Sequence, residues 1–367
     1  MRKPPPRVSR HLYGCIGRPA PGREPTLSAR SLPSPPSLTW LTVTTGLSCP
    51  SEEGTVRVVV AGGTGLLGRA LVESLLADNH EVVLLTRRAS AHETSPASIS
   101  WSPDGGVGPW AQALRGAAAI VNLAGHPIGG SRWTRAEKDR ILASRLGATR
   151  SIVSALAARG GEPAVFVNAS AQGYYGSRGD EILTEASSQG RGFLADVCAR
   201  TEREALRAQG LVSRVVLLRT SLVLDSRGGA LPRMLLPFRL FVGGPLGSGR
   251  QFMSWIHKGD WVQMVRWVLA TGEASGPLNL AAPNPVTNAQ FARAVGRVLH
   301  RPSWLPAPSF AIRLLLGEMA EGVVLCSQRL VPARALELGY RFRFPSLDAA
   351  LGDVLAPPEA GQSQRCS

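Results

Sequence analysis

Acidic residues are scarce in this chain of 367 residues: 26 Asp and Glu stand against 41 Lys and Arg, a formal net charge of +15. Long apolar runs are missing too, since none reaches the ~18 residues a membrane-spanning helix needs. The chain therefore reads as a globular one. Cysteine is sparse, and Cys15, Cys49, Cys198, Cys326 and Cys366 form no CxxC pair. No segment has the apolar core of a secretory signal, so a disulfide-framed secreted domain is excluded and a reducing compartment is expected. The six histidines include no HExxH and no pair at metal-ligand spacing, and no metal site is expected. Aromatic residues make up only 6%, and no Lys/Arg cluster alternates with stacking aromatics, so neither nucleic acid nor a membrane is an expected partner. What the chain does have is 44% hydrophobic residues, enough to bury a sizeable core in about two packed units.

The charge is unevenly placed. Residues 1–50 hold seven Lys and Arg against one acid, Glu24, a net +6 among many Pro and Ser. Such a stretch buries too little to offset its ordering entropy, and residues 1–54 are expected to be a disordered basic extension. Its Arg- and Ser-rich, acid-poor character resembles an organelle transit peptide, whereas its prolines oppose an amphipathic helix. Cytoplasmic and mitochondrial locations both stay open.

Folding should begin at Val56-Arg57-Val58-Val59-Val60, a β-branched run suited to a strand buried on both faces. A glycine turn follows, Gly62-Gly63-Thr64-Gly65-Leu66-Leu67-Gly68, and leads into an amphipathic stretch to Ala77. Glycines at this spacing let the chain turn sharply, let backbone approach a pyrophosphate and let helix pack closely on strand; the helix N-terminus then offers free N–H groups to phosphate. A second apolar run, Glu81 to Leu85, completes a βαβ unit of dinucleotide-binding type. At its end an acid would hold an adenosine ribose and an arginine a 2′-phosphate. Thr86-Arg87-Arg88 stands there, so NADP is preferred over NAD.

Three more apolar runs, over 118–124, 164–168 and 214–218, alternate with helical stretches. That order predicts an α/β Rossmann fold: a doubly wound parallel sheet, with ligands at the carboxyl ends of its strands. The expected organisation is an NADP-binding Rossmann domain over 55–225, substrate-domain elements over 226–304 and a small C-terminal domain over 305–355. Helices are expected over Trp261–Ala270 and from Asn288, as N-cap, to His300.

With the glycine turn, Asn122-Leu123-Ala124-Gly125, Ser170-Ala171-Gln172-Gly173-Tyr174-Tyr175-Gly176 and Trp255-Ile256-His257-Lys258-Gly259-Asp260 in place, the chain resembles the extended short-chain dehydrogenase/reductase superfamily. Trp133 with Ala143-Ser144-Arg145, Leu235 to Arg239, and Gly243 to Gly249 resemble its atypical, sugar-nucleotide-epimerase-like branch. The segment Gly339 to Pro345 is similar to that branch's small C-terminal domain of unknown function. The resemblance implies that Thr86 and Arg87 hold the adenosine phosphate end, that Leu123 and Ala124 flank the nicotinamide-side ribose, that Arg145 reaches the cofactor and that Val223 contacts the nicotinamide end. For Arg145 a solvated helix face is the competing reading.

Enzymes of this superfamily exchange a proton through a tyrosine whose pKa is lowered by a lysine four residues on. The corresponding segment here reads Phe193-Leu194-Ala195-Asp196-Val197, and the usual serine position is Ala171, beside Ser170. Tyr175 is the candidate substitute, with Tyr174, His257 and Lys258 behind it. A packed structural aromatic is the competing reading for Tyr175, and a capping histidine for His257. Asp260 and Arg219 either shape the pocket or serve as a helix cap and a strand-end salt bridge. Two functions follow: an NADP-dependent oxidoreductase or epimerase-like enzyme acting on an unidentified small molecule, or a non-catalytic NADP(H)-binding sensor or scaffold. Homo-oligomerisation is left open.

Overall fold

The structure, a computed structural model, describes residues 55–88, 96–159 and 163–356. The extension expected over 1–54 lies outside them. Strands β1 (Arg57–Ala61), β2 (Glu81–Thr86), β3 (Ala97–Ser100), β4 (Ala119–Asn122) and β5 (Val165–Ala171) are followed by β6 (Ile182–Leu183), β7 (Arg214–Thr220), β8 (Leu222–Leu224), β9 (Phe252–Met253) and β10 (Trp255–His257). The last three are β11 (Gly276–Leu280), β12 (Val286–Thr287) and β13 (Arg329–Leu330). Seven of them form one parallel sheet in the order β11-β7-β5-β4-β1-β2-β3. The short ones pair outside it, β8 with β10, β9 with β12 and β6 with β13.

Nine helices accompany the strands among the described residues: α1 (Leu66–Ala77), α2 (Arg135–Arg159), α3 (Phe193–Leu206), α4 (Leu231–Arg239), α5 (Lys258–Ala270), α6 (Asn288–Leu299), α7 (Ser309–Leu316), α8 (Ala333–Glu337) and α9 (Leu347–Leu355). Alternate side chains along each strand leave opposite faces of the sheet, and both faces are covered. Val58, Val60, Val121, Val167 and Val216 pack on Leu71, Leu75, Trp261 and Met264 of α1 and α5. Val59, Ala61, Ile120, Phe166 and Leu217 pack on Ile152, Leu156 and Ala205 of α2 and α3. This two-sided burial makes the strands read as continuous apolar runs. Strand order reverses at β1, whose neighbours are β2 and β4, and the crevice at a doubly wound sheet's carboxyl edge opens there.

Beyond the sheet, α4, α6 and α9 share a second core around Leu235, Phe238, Trp255, Phe291 and Leu351. The C-terminal segment is tied to the body by hydrogen bonds. Gln328 Nε2 donates to the Gln172 and Gly176 carbonyls at 2.9 and 3.0 Å. Buried Asp260 accepts from the backbone N–H groups of Arg343 and Phe344 at 2.8 and 2.9 Å.

Two sheet strands differ from the sequence expectation. Strand β3, Ala-Ser-Ile-Ser, is an edge strand with little apolar content. Strand β11 carries Pro277, which a strand tolerates at an edge. The N-cap of α6 is also corrected. It is Thr287, whose side chain accepts from Gln290 N–H in a reciprocal capping box, while Asn288 turns inward and accepts from Leu246 N–H at 2.6 Å.

Candidate dinucleotide site

Between β1 and α1 the chain must turn back within a few residues. Gly62 takes φ +79°, and a Cβ there would lie 2.7 Å from the Leu123 carbonyl carbon. A Cβ on Gly68 would lie 2.3 Å from the Gly62 oxygen, so the start of α1 rests directly on the turn. The N-cap is Gly65 and no side chain caps α1, which leaves its first N–H groups free for an anion. The turn thus fits a dinucleotide's phosphates by shape and by polarity.

A cleft of about 970 Å³ opens here. Gly62, Thr64 and Gly65 line it from the turn, Thr86, Arg87 and Arg88 from the end of β2, and Leu123, Ala124 and Gly125 from the end of β4. Gly63 sits behind the wall against Leu84, and Leu67 packs toward the α1 core. Leu66 lies under Gly228 and Gly229, so the loop after β8 overhangs the turn.

Arg145 stands beside the cleft rather than on a solvated face. Its Nη1 donates to the His126 and Ile141 carbonyls at 2.9 and 3.1 Å, its guanidinium abuts Gly125, and burial lowers its pKa. Val223 is in β8, half-buried against the α1/α5 core and outside the residues that line the cleft.

The tyrosine and lysine positions are apolar in three dimensions as well. Phe193 packs edge-on to Trp133, and Val197 is buried beside Ile141. Tyr175 is fully buried, apart from the cleft: its hydroxyl donates to Asn279 Oδ1 at 2.7 Å and accepts from Arg219 Nη1 at 3.0 Å. Burial, only partly opposed by Arg219, pushes its pKa up to about 12. So held, the hydroxyl lies outside the residues that line the cleft. Ser170 donates to Glu202 at 2.6 Å, and Glu202 takes both arms of Arg219, a strand-end salt bridge. His257 is the N-cap of α5, and Lys258 pairs with Asp225 at 2.9 Å.

Sequence reading did not find one titratable pair that does face the cleft. His126 lines it, 2.8 Å through Nε2 from Glu137 Oε1. Glu137 is buried at the start of α2 and also accepts from Arg140 at 3.0 Å; the hydrogen bond with His126 holds its carboxyl below the ordinary range. The two residues are eleven apart, and the bend that joins them follows no local periodicity.

Known proteins resemble this chain in sequence and in fold. Residues 58–281 match the NAD dependent epimerase/dehydratase family, and residues 307–354 match a domain of unknown function, DUF1731. The chloroplastic homolog of epimerase family protein SDR39U1 from Arabidopsis thaliana is 41% identical over 317 residues, 84% of this chain and 89% of the relative. An epimerase family protein of Mycobacterium bovis is 40% identical over 302 residues, 82% of this chain and 98% of the relative. The crystal structure of human epimerase family protein SDR39U1 (isoform 2) with NADPH superposes with a TM-score of 0.74 at 35% identity, over 82% of this chain and 99% of that one.

Proposed function

Since the chain belongs to the NAD dependent epimerase/dehydratase family, within the extended short-chain dehydrogenases/reductases, we propose that its cleft takes NADP(H) and that it works as an oxidoreductase lacking the Tyr/Lys pair. One observation carries the cofactor choice: Arg87 and Arg88 are exposed where β2 ends in the cleft, at the place where an acid would select NAD. The NADPH in the human relative's crystal structure supports the same reading. Arg87→Glu should raise the Kd for NADPH by at least about tenfold more than the Kd for NADH, because a charge-assisted phosphate contact becomes a repulsion. Equal weakening of both would reject the choice.

A bound nicotinamide supplies or accepts hydride, and the chain's residues do the rest. The free N–H groups of α1 hold phosphate, and Arg145 stiffens the end of β4 by bonding the His126 carbonyl. His126 is the residue we assign to proton exchange. Glu137 holds its Nε2–H, and Nδ1 is left to take or give a proton, the arrangement by which a carboxylate orients an imidazole base. Purified protein should oxidise NADPH with some member of a panel of carbonyls and nucleotide-sugars. His126→Gln should cut turnover about 100-fold while leaving the NADPH Kd within about threefold.

Packed Phe193 and buried Val197 favour a second reading, binding without turnover, as in a sensor or scaffold. Tight NADPH binding with no oxidation across the panel would select it. A cytoplasmic or mitochondrial location belongs to the proposal, supported by the unpaired, buried thiols of Cys198 and Cys326.

A further inference from the structure

Large apolar side chains are exposed together on one part of the molecule. Leu240 and Phe241 follow α4, Trp304 is 75% exposed in the loop after α6, and Phe310, Leu314 and Leu315 stand out from α7, Leu314 at 78%. The elements touch. Leu305 N–H donates to the Gly243 carbonyl at 3.2 Å, the Arg301 guanidinium lies 4.5 Å over the Phe241 ring, and Ala307 N–H donates to the Pro245 carbonyl at 2.9 Å. A soluble monomer rarely leaves so many large apolar groups uncovered on neighbouring elements.

The charge around them is basic in excess: Glu321, Asp348 and Asp225 pair with Arg313, Arg297 and Lys258, and Arg227, Arg233, Arg239, Arg250, Arg293 and Arg301 have no carboxylate partner among the described residues. Residues 226–259 contain Arg227, Arg233, Arg239, Arg250 and Lys258 and no Asp or Glu; residues 274–317 contain Arg293, Arg297, Arg301 and Arg313 and no Asp or Glu. Helix α4 sets Arg233 and Arg239 at helical spacing with exposed Leu236 and, just past its end, Leu240, while the one arginine of α7, Arg313, is paired with Glu321. A second copy of the chain docking symmetrically would set this basic face against itself, and residues 1–54 are themselves basic. An anionic phospholipid surface complements both features: its phosphates meet the arginines while Trp, Phe and Leu enter the headgroup boundary. No helix among the described residues is long and apolar enough to cross a membrane, so any such contact is peripheral.

We propose that the face formed by α4, the loop after α6 and α7 docks on an anionic bilayer surface. It departs from the expectation drawn from the linear sequence, in which no membrane partner is expected. The mouth of the cleft is near, since Arg233 Nη1 donates to the Gly129 carbonyl at 2.6 Å and Arg132 Nη2 to the Leu314 carbonyl at 3.2 Å, both from the loop between His126 and α2.

The full chain is sedimented with vesicles of phosphatidylcholine alone and of phosphatidylcholine with phosphatidylserine. Binding is expected only to the second, weakening as salt rises. Phe310→Glu/Leu314→Glu should lower the bound fraction's apparent affinity at least about tenfold with the melting temperature unchanged, both side chains being exposed. Arg233→Glu/Arg239→Glu should do the same. No binding to the phosphatidylserine vesicles overturns the proposal. Binding that both double variants leave intact overturns it too, because contact then lies elsewhere, residues 1–54 included. So does a dimer in light scattering that Phe310→Glu/Leu314→Glu dissociates, which would make the face a self-interface.

Discussion

Phe193 stands edge-on to Trp133, ring centroids 5.1 Å apart at 70°. A proton-donating tyrosine occupies the Phe193 position in the superfamily the chain resembles, and a lysine the position of Val197, which is 3% exposed. Ile128, Ile141, Leu142 and Met319 share their apolar cluster, and the Lys138 ammonium lies 5.6 Å over the Phe193 ring. Restoring the lysine alone should therefore fail as a repair. Val197→Lys would bury an ammonium with no carboxylate partner and cost about 3–5 kcal/mol. A urea denaturation midpoint close to that of the unsubstituted protein would show that the lysine reaches the cleft instead.

Tyr175 gives the converse test. Tyr175→Phe leaves Asn279 Oδ1 and Arg219 Nη1 each short of a partner and should cost about 1–3 kcal/mol. NADPH affinity should stay within about twofold, since the hydroxyl is outside the cleft lining. An unchanged melting temperature with collapsed turnover would return the tyrosine to the chemistry.

Gly68→Ala places a methyl group where only 2.3 Å separates it from the Gly62 oxygen. Turn and helix must part, and the NADPH Kd, read by fluorescence titration, should rise by at least about 100-fold as the phosphate cradle opens. Gly272→Ala is the matched control: nothing lies within 4 Å of the new Cβ, and both stability (within about 0.5 kcal/mol) and NADPH affinity should hold.

His257 gives the fold a pH dependence. Its Nδ1 accepts from Gly259 N–H at 3.0 Å, its Nε2 faces Asp353 at 3.0 Å, and its ring lies 4.0 Å from that of Phe344. Burial lowers its pKa, with Asp353 opposing. A histidine that protonates less readily folded than unfolded contributes stability that is full above about 6.5, its ordinary value, and is lost as pH falls below it. Melting temperature should decline as pH falls below about 6.5, and the decline should be smaller in His257→Asn, which keeps a capping side chain without the titration. Identical slopes in the two proteins would assign the acid sensitivity to another group.

Strand runs of Val and Leu, the glycine turn and the arginines after β2 were legible in the sequence because each is written in adjacent residues with a known period. Strands β3 and β11 were not, since Ser98 and Pro277 deny an apolar pattern and only an edge position makes them strands. His126 and Glu137 were missed for a related reason: eleven residues and a bend separate two groups that meet only once α2 is placed against β4. The burial of Tyr175 depends on Asn279, 104 residues away, a distance no local rule spans.

Two family descriptions divide the chain near residue 307, yet Ser254 Oγ reaches across that line to the Gln328 carbonyl at 2.9 Å and accepts from Leu330 N–H at 2.8 Å. Asp260 depends on the same later segment for both its bonds to Arg343 and Phe344. The hydrogen-bond network therefore runs across the boundary between the two matches. A chain ending at 306 would strand a buried carboxylate at the head of α5, and heat should melt residues 55–356 in one transition, with the C-terminal segment giving way together with the sheet.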